Sequence, residues 1–128
     1  MIYLDTSVAL AHLLGEDRRP PAEFWKGSLI SSRLLEYELW VRLNAYGLAT
    51  SHEGAAHRLL AELSLVELTP DVLDRALAPF PGPLRTLDAL HLATLIWLRE
   101  HAQDVTLATY DVRMAGAAKS LEVVVEAL

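Results

Sequence analysis

Short apolar runs alternate along the chain with longer segments whose apolar residues recur every three or four positions. The short runs Ile2-Tyr3-Leu4, Leu29-Ile30-Ser31, Leu65-Val66-Glu67-Leu68, Val105-Thr106-Leu107-Ala108 and Val123-Val124-Val125 are predicted strands. The longer segments are predicted helices. Thr6 to Leu14 stops at Gly15, and Ser32 to Ala45 carries Leu35, Leu39, Val41 and Leu43 before Gly47 ends it. Glu53 to Leu63 places Ala56, Leu59, Leu60 and Leu63 on one amphipathic stripe. Thr69-Pro70 opens another helix with proline at its first position, and Thr86 to His101 and Val112 to Ser120 complete the set. Ala22 to Lys26 is a further short helix. The stretches Gly15 to Pro21 and Pro79 to Pro83 are short enough to be loops, and no repeat or low-complexity segment interrupts the pattern.

Apolar strands alternating with helices predict an α/β fold whose parallel sheet of four to five strands is covered on both faces, a three-layer α/β/α arrangement. In such sheets ligands gather at the carboxyl ends of the strands. The 128 residues suit one domain. The absence of cysteine excludes a disulfide scaffold, a thiolate zinc site and a cysteine nucleophile. No apolar run reaches spanning length, and Met1-Ile2-Tyr3-Leu4-Asp5 has no basic leader, so a soluble cytoplasmic protein is expected. Seventeen acidic against eleven basic residues give a formal charge of −6, which argues against a broad electrostatic grip on nucleic acid.

Four carboxylates fall where the fold would place a site. Asp5 follows the first strand, Asp111 follows the strand ending at Ala108, Asp88 lies in the first turn of the Thr86 helix, and Glu38 lies about two turns into the Ser32 helix. Each has a structural alternative. Asp5 and Asp111 suit helix N-caps, Asp88 suits a first turn favoured by the helix dipole, and Glu38 suits a surface pair with Arg42 at i+4. As a set they suggest more. Converging carboxylates repel, so protons or cations must intervene, and hard oxygen donors suit Mg²⁺ or Mn²⁺. Such ions hold phosphodiester oxygens and acidify water for in-line hydrolysis. Setting the four aside leaves 13 acidic against 11 basic residues, a nearly balanced remainder.

Four segments resemble the motifs of PIN-domain ribonucleases, especially the VapC toxins of bacterial toxin–antitoxin pairs. Ile2-Tyr3-Leu4-Asp5-Thr6-Ser7 is similar to their opening. Ile30-Ser31-Ser32-Arg33-Leu34-Leu35-Glu36-Tyr37-Glu38-Leu39 resembles their second motif, Leu84-Arg85-Thr86-Leu87-Asp88-Ala89-Leu90-His91-Leu92-Ala93 the third, and Leu107-Ala108-Thr109-Tyr110-Asp111 the fourth. The resemblance implies a single PIN domain over residues 1–128. It implies Asp5, Glu38, Asp88 and Asp111 as catalytic, metal-binding residues for Mg²⁺ or Mn²⁺. It also implies cleavage of single-stranded or looped RNA to 5′-phosphate and 3′-hydroxyl ends, a homodimer, and a small VapB-like antitoxin as partner. Glu36 and Glu38 lie about 200° apart on a helix, so one site cannot easily use both. Glu38 takes the family position and Glu36 the opposite face.

Other polar residues have weaker roles. Thr6 and Thr109 either bond a site carboxylate or cap the next helix, and Arg85 either holds a phosphate or forms a surface ion pair. His91, at i+3 from Asp88, suits a structural hydrogen bond better than metal ligation. Trp25, Trp40 and Trp97 are expected in the core or an interface. Two other functions compete. One is a non-catalytic PIN-like binding module whose acids only cap helices. The other is a phosphoryl-transfer domain with Asp5 as acceptor, which Ser7 disfavours because a dehalogenase-type site needs a second Asp there.

Overall fold

The computed structural model describes all 128 residues. Four strands, β1 (Ile2–Leu4), β2 (Leu29–Ser32), β3 (Leu63–Val66) and β4 (Thr106–Ala108), form one sheet in the order β3-β2-β1-β4. All neighbours are parallel. Six helices connect them: α1 (Thr6–Leu13), α2 (Arg33–Ala45), α3 (Glu53–Ala61), α4 (Pro70–Leu77), α5 (Thr86–Glu100) and α6 (Val112–Ser120). The Ala22–Lys26 segment is a single 3-10 helix. Gly15 and Gly47 have φ of +63° and +69°, the left-handed backbone that ends α1 and α2.

The pleat of β1 sends alternate side chains to opposite faces, and this splits the core in two. Leu4 and Ala108 join Val8, Ala9 and Leu13 of α1, Leu35, Leu39 and Leu43 of α2, and Ala56 and Leu59 of α3. Tyr3, Ile30 and Leu107 join Leu92, Leu95 and Leu98 of α5 and Met114, Ala117 and Ala118 of α6. The sheet is therefore the middle of three layers. Leu35, Leu39 and Leu43 lie four residues apart and are fully buried, whereas Val41 is on the other side of α2 at 64% exposure. The three tryptophans pack against these clusters as partly buried residues.

Most boundaries fall within a residue of the pattern, and two strands differ by more. The third strand begins at Leu63, not Leu65, and ends at Val66, which shortens α3 to Ala61. Its register explains this. Leu63 to Val66 pair with Leu29 to Ser32, and Ser32 is already the N-cap of α2, so Glu67 and Leu68 have no strand to pair with. The predicted last strand contributes one parallel bridge, Leu107 to Val125. Leu107 N–H donates to the Val124 carbonyl at 2.9 Å and Glu126 N–H to the Leu107 carbonyl at 2.8 Å. β4 has only three residues before the chain turns into α6, too short a template for a longer ladder. No helix is long and apolar enough to cross a membrane.

The strand order reverses at β1: β2 and β3 build outward on one side and β4 is added on the other. In parallel sheets ligands gather at the carboxyl edge beside such a reversal, here between β1 and β4.

Leu39→Ala is expected to destabilise the protein by about 2–5 kcal/mol, through lost burial plus a cavity. Val41→Ala on the same helix should stay within about 0.5 kcal/mol. Urea unfolding of both variants checks the assignment of the buried face, and equal losses would refute it.

Candidate active site at the carboxyl edge of the sheet

Asp5 is the first residue after β1, and its backbone N–H donates to the Ala108 carbonyl at the end of β4, 3.0 Å away. It occupies the N-cap position of α1, yet its side chain caps nothing. The carboxylate is instead buried at 3% exposure and accepts two hydroxyl donors on Oδ2, Ser7 Oγ at 2.6 Å and Thr109 Oγ1 at 2.8 Å. Burying a carboxylate without donors is costly, and these two replace the water that Oδ2 loses. Oδ1 has no protein donor. The capping role that Asp5 suits by position is thus not the one it fills.

Asp111 does fill it. Its Oδ1 accepts the Met114 N–H at 2.9 Å at the start of α6. Thr109 links the two acids, because the Oγ1 that donates to Asp5 also accepts the Asp111 N–H at 3.0 Å. Of the two roles weighed for Thr109, it fills the carboxylate bond; the cap of α6 is Asp111, whose own N–H Thr109 holds. Ser7 has a matching double role: its Oγ donates to Asp5 and accepts the Tyr110 N–H at 3.0 Å. Spacing alone gives Ser7 no role beyond filling the place of a second acid. The useful signal was a small hydroxyl two residues after a buried strand-end carboxylate.

Asp88 stands in the first turn of α5, half-buried. Its pKa is raised, first by burial and then by repulsion from Asp111 and Asp5, with Arg85 and His91 acting the other way. Asp88 therefore stands within electrostatic reach of Asp111 and Asp5. Arg85 is exposed at the N-cap position of α5, makes no side-chain cap, and has no carboxylate within ion-pair distance. The surface ion pair considered for it does not form, and its charge acts on Asp88.

Glu38 does not pair with Arg42, whose guanidinium contacts Tyr46. Its Oε1 accepts Thr6 Oγ1–H at 2.8 Å and meets His91 Nε2 at 2.5 Å. Thr6 thus bonds a site carboxylate and caps no helix. Glu36 pairs with Arg33 at 2.9 Å, and Arg33 also holds Glu67 at 2.6 Å, so Glu36 is engaged elsewhere. His91 is fully buried and its Nδ1 lies 2.8 Å from the Tyr3 hydroxyl. Tyr3 reads in the sequence only as a strand residue; the signal for more is that a buried tyrosine usually finds its hydroxyl a partner.

Asp5, Glu38, Asp88 and Asp111 thus come from four separate segments to one edge. They offer hard oxygen donors, including the free Oδ1 of Asp5 and Oε2 of Glu38, which suit Mg²⁺ or Mn²⁺ chemically. No three acidic or histidine side chains stand close enough together to share one ion.

Because burial and like charge oppose ionised Asp88, they oppose folding at neutral pH, where that group is charged. Asp88→Asn should therefore raise the thermal midpoint in chelator by on the order of a few degrees. A scan of both proteins in EDTA checks this, and a lower midpoint would mean that the dipole contribution of Asp88 to α5 outweighs the repulsion.

The PIN domain family matches residues 2–120. Ribonuclease VapC46 of Mycobacterium tuberculosis is 37% identical over 94% of this chain and 92% of its own length. Ribonuclease VapC35 of the same species is 35% identical over 99% of this chain and 96% of its own. A toxin–antitoxin complex from Klebsiella pneumoniae contains a chain with the same fold, at a TM-score of 0.64 and 22% identity, covering 91% of this chain and 92% of that one. With a family match across nearly all of its length and relatives above one-third identity, the chain belongs to the PIN-domain family, as a VapC-type member.

Proposed function

We propose that this chain is a Mg²⁺- or Mn²⁺-dependent endoribonuclease, the toxin of a type II toxin–antitoxin pair, with Asp5, Glu38, Asp88 and Asp111 as its catalytic metal-binding residues. The observation that carries the proposal is the Asp5 carboxylate, buried at the end of β1 with Oδ2 held by Ser7 and Thr109 and Oδ1 without a protein donor, beside an Asp88 whose ionised form burial and the Asp111 and Asp5 charges oppose. Like charges gathered at the carboxyl edge of the sheet cost stability and are best accounted for by a cation. The names of the ribonuclease relatives support the substrate class.

Asp5, Glu38, Asp88 and Asp111 would hold the divalent ion or ions, which when bound would supply charge neutralisation for the phosphodiester and a water of lowered pKa. The reaction is hydrolysis. The water oxygen bonds to phosphorus, the bond from phosphorus to O3′ breaks, and the proton released by water balances the one O3′ takes up. The chain's own groups prepare the site. Ser7 and Thr109 fix Asp5 through Oδ2 and leave Oδ1. Thr6 and His91 hold Glu38 through Oε1 and leave Oε2. Arg85, exposed beside Asp88, is the phosphate contact. The acidic surplus is then largely the site itself, and the chain meets RNA locally instead of through a basic face.

The partners are a VapB-like antitoxin and a second copy of the chain. Two uncovered apolar surfaces support this: Tyr37, Val41 and Tyr46 along α2, and Leu73, Leu77 and Leu87 on α4 and α5.

Protein freed of any partner should cleave single-stranded or looped RNA with Mn²⁺ and lose activity in EDTA. Asp5→Asn and Asp88→Asn should each lower cleavage roughly 1,000-fold, the equivalent of several kcal/mol of lost charge stabilisation, with the fold retained by circular dichroism. A wild type that neither cleaves RNA nor binds Mn²⁺ by calorimetry would favour the non-catalytic module instead. Stable phosphorylation of Asp5 by a small phosphodonor would favour phosphoryl transfer.

A further inference from the structure

We infer that His91 is a positioning residue: with Tyr3 on one ring nitrogen and Glu38 on the other, it fixes the Glu38 carboxylate so that Oε2 alone is presented to the site. This rests on the reading of Glu38 as a metal-binding residue.

The hydrogen-bond geometry sets the tautomer. Nε2 lies 2.5 Å from Glu38 Oε1 and 3.1 Å from Thr6 Oγ1. Thr6 gives its own proton to Oε1, so both neighbours of Nε2 present oxygen lone pairs. An unprotonated Nε2 would oppose them, so Nε2 carries the proton and donates to Oε1. In the neutral ring Nδ1 is then the acceptor, and it faces the Tyr3 hydroxyl at 2.8 Å as its donor. Burial pushes the Tyr3 phenol well above its usual range, which keeps it a donor. Its ring stands edge-on to the imidazole at 77°, with centroids 5.9 Å apart. The imidazole is fully buried and Glu38 only partly so, which suits a group that acts on the site from behind. Tyr3, Thr6, Glu38 and His91 come from β1, α1, α2 and α5, so the chain of bonds ties the carboxylate to both layers of helices and to the sheet. A ligand held by such outer partners typically loses 10–100-fold in metal affinity when the partner is removed.

The test has two arms. In the metal-free protein, imidazole ¹⁵N shifts should report a single Nε2–H tautomer for His91, with a slowly exchanging ring proton. Tyr3→Phe, which removes one hydroxyl and little volume, should mix the tautomers. A wild-type Nδ1–H tautomer, or a ring proton in free exchange, overturns the inference.

In the second arm, Mn²⁺ affinity is measured by calorimetry. His91→Gln keeps an amide donor near the Nε2 position and should stay within about 3-fold of wild type. His91→Asn places its donor nearer Nδ1 and should lose about 10–100-fold, as should His91→Ala. In a Glu38→Gln background the His91 substitutions should add nothing. A merely structural role would instead rank the variants by volume and persist in that background. Wild type that binds Mn²⁺ with His91→Ala unchanged overturns the His91 assignment alone. Wild type that binds no Mn²⁺ overturns the metal reading of Glu38 and this role with it. Loss of fold in His91→Ala leaves the Gln and Asn comparison and the Tyr3→Phe spectrum to decide.

Discussion

Removing a carboxylate from water costs several kcal/mol unless donors replace its hydration, and Asp5 is buried at the centre of the sheet's carboxyl edge. Its neighbours are arranged to meet that cost. Ser7 arrives from the first turn of α1 and Thr109 from the end of β4, and both hydroxyls reach the same oxygen. Those hydroxyls also accept the N–H groups of Tyr110 and Asp111, so the turn after β4 is held by the donors that hold Asp5. The β1–β4 pairing is thus fastened at its end by a polar cluster as well as by the backbone ladder.

Glu38 repeats the pattern with a longer reach. It has one oxygen engaged and one without a donor, and its support comes from Thr6 and His91. In both acids the protein satisfies half of the carboxylate and leaves the other half without a donor. Half-satisfied buried acids weaken a purely structural polar network, whereas they suit a site that completes its coordination with something from outside. Asp111 differs because its Oδ1 already serves α6. As a cap it remains available to the proposed site, so the two roles are not exclusive.

Most of the architecture was legible because its signals are local. The continuous apolar run of β1, buried on both faces of the sheet, the four-residue spacing of Leu35, Leu39 and Leu43, Pro70 at a helix start and glycine after α1 and α2 each depend on nearby residues. The misplaced third strand and the reduced last one depend on partners instead. Leu63–Val66 is a strand only for as long as Leu29–Ser32 lies beside it, and Val123–Val125 finds one bridge on a three-residue neighbour.

The site divides in the same way. Strand ends and helix turns marked Asp5, Glu38, Asp88 and Asp111 as candidates, helix angles showed that Glu36 and Glu38 could not both serve one site, and the family resemblance chose Glu38. Only the tertiary structure decided what each acid does. Asp5 could cap α1 and does not, because a hydroxyl 104 residues away competes for it. Glu38 could pair with Arg42 one turn on and instead meets an imidazole 53 residues away, which a tyrosine 88 residues from that imidazole holds in turn. Such bonds need groups brought together by the β1–β4 pairing and by α5 packing against the sheet. Local sequence specifies which groups are available, and the closing of the fold selects among them.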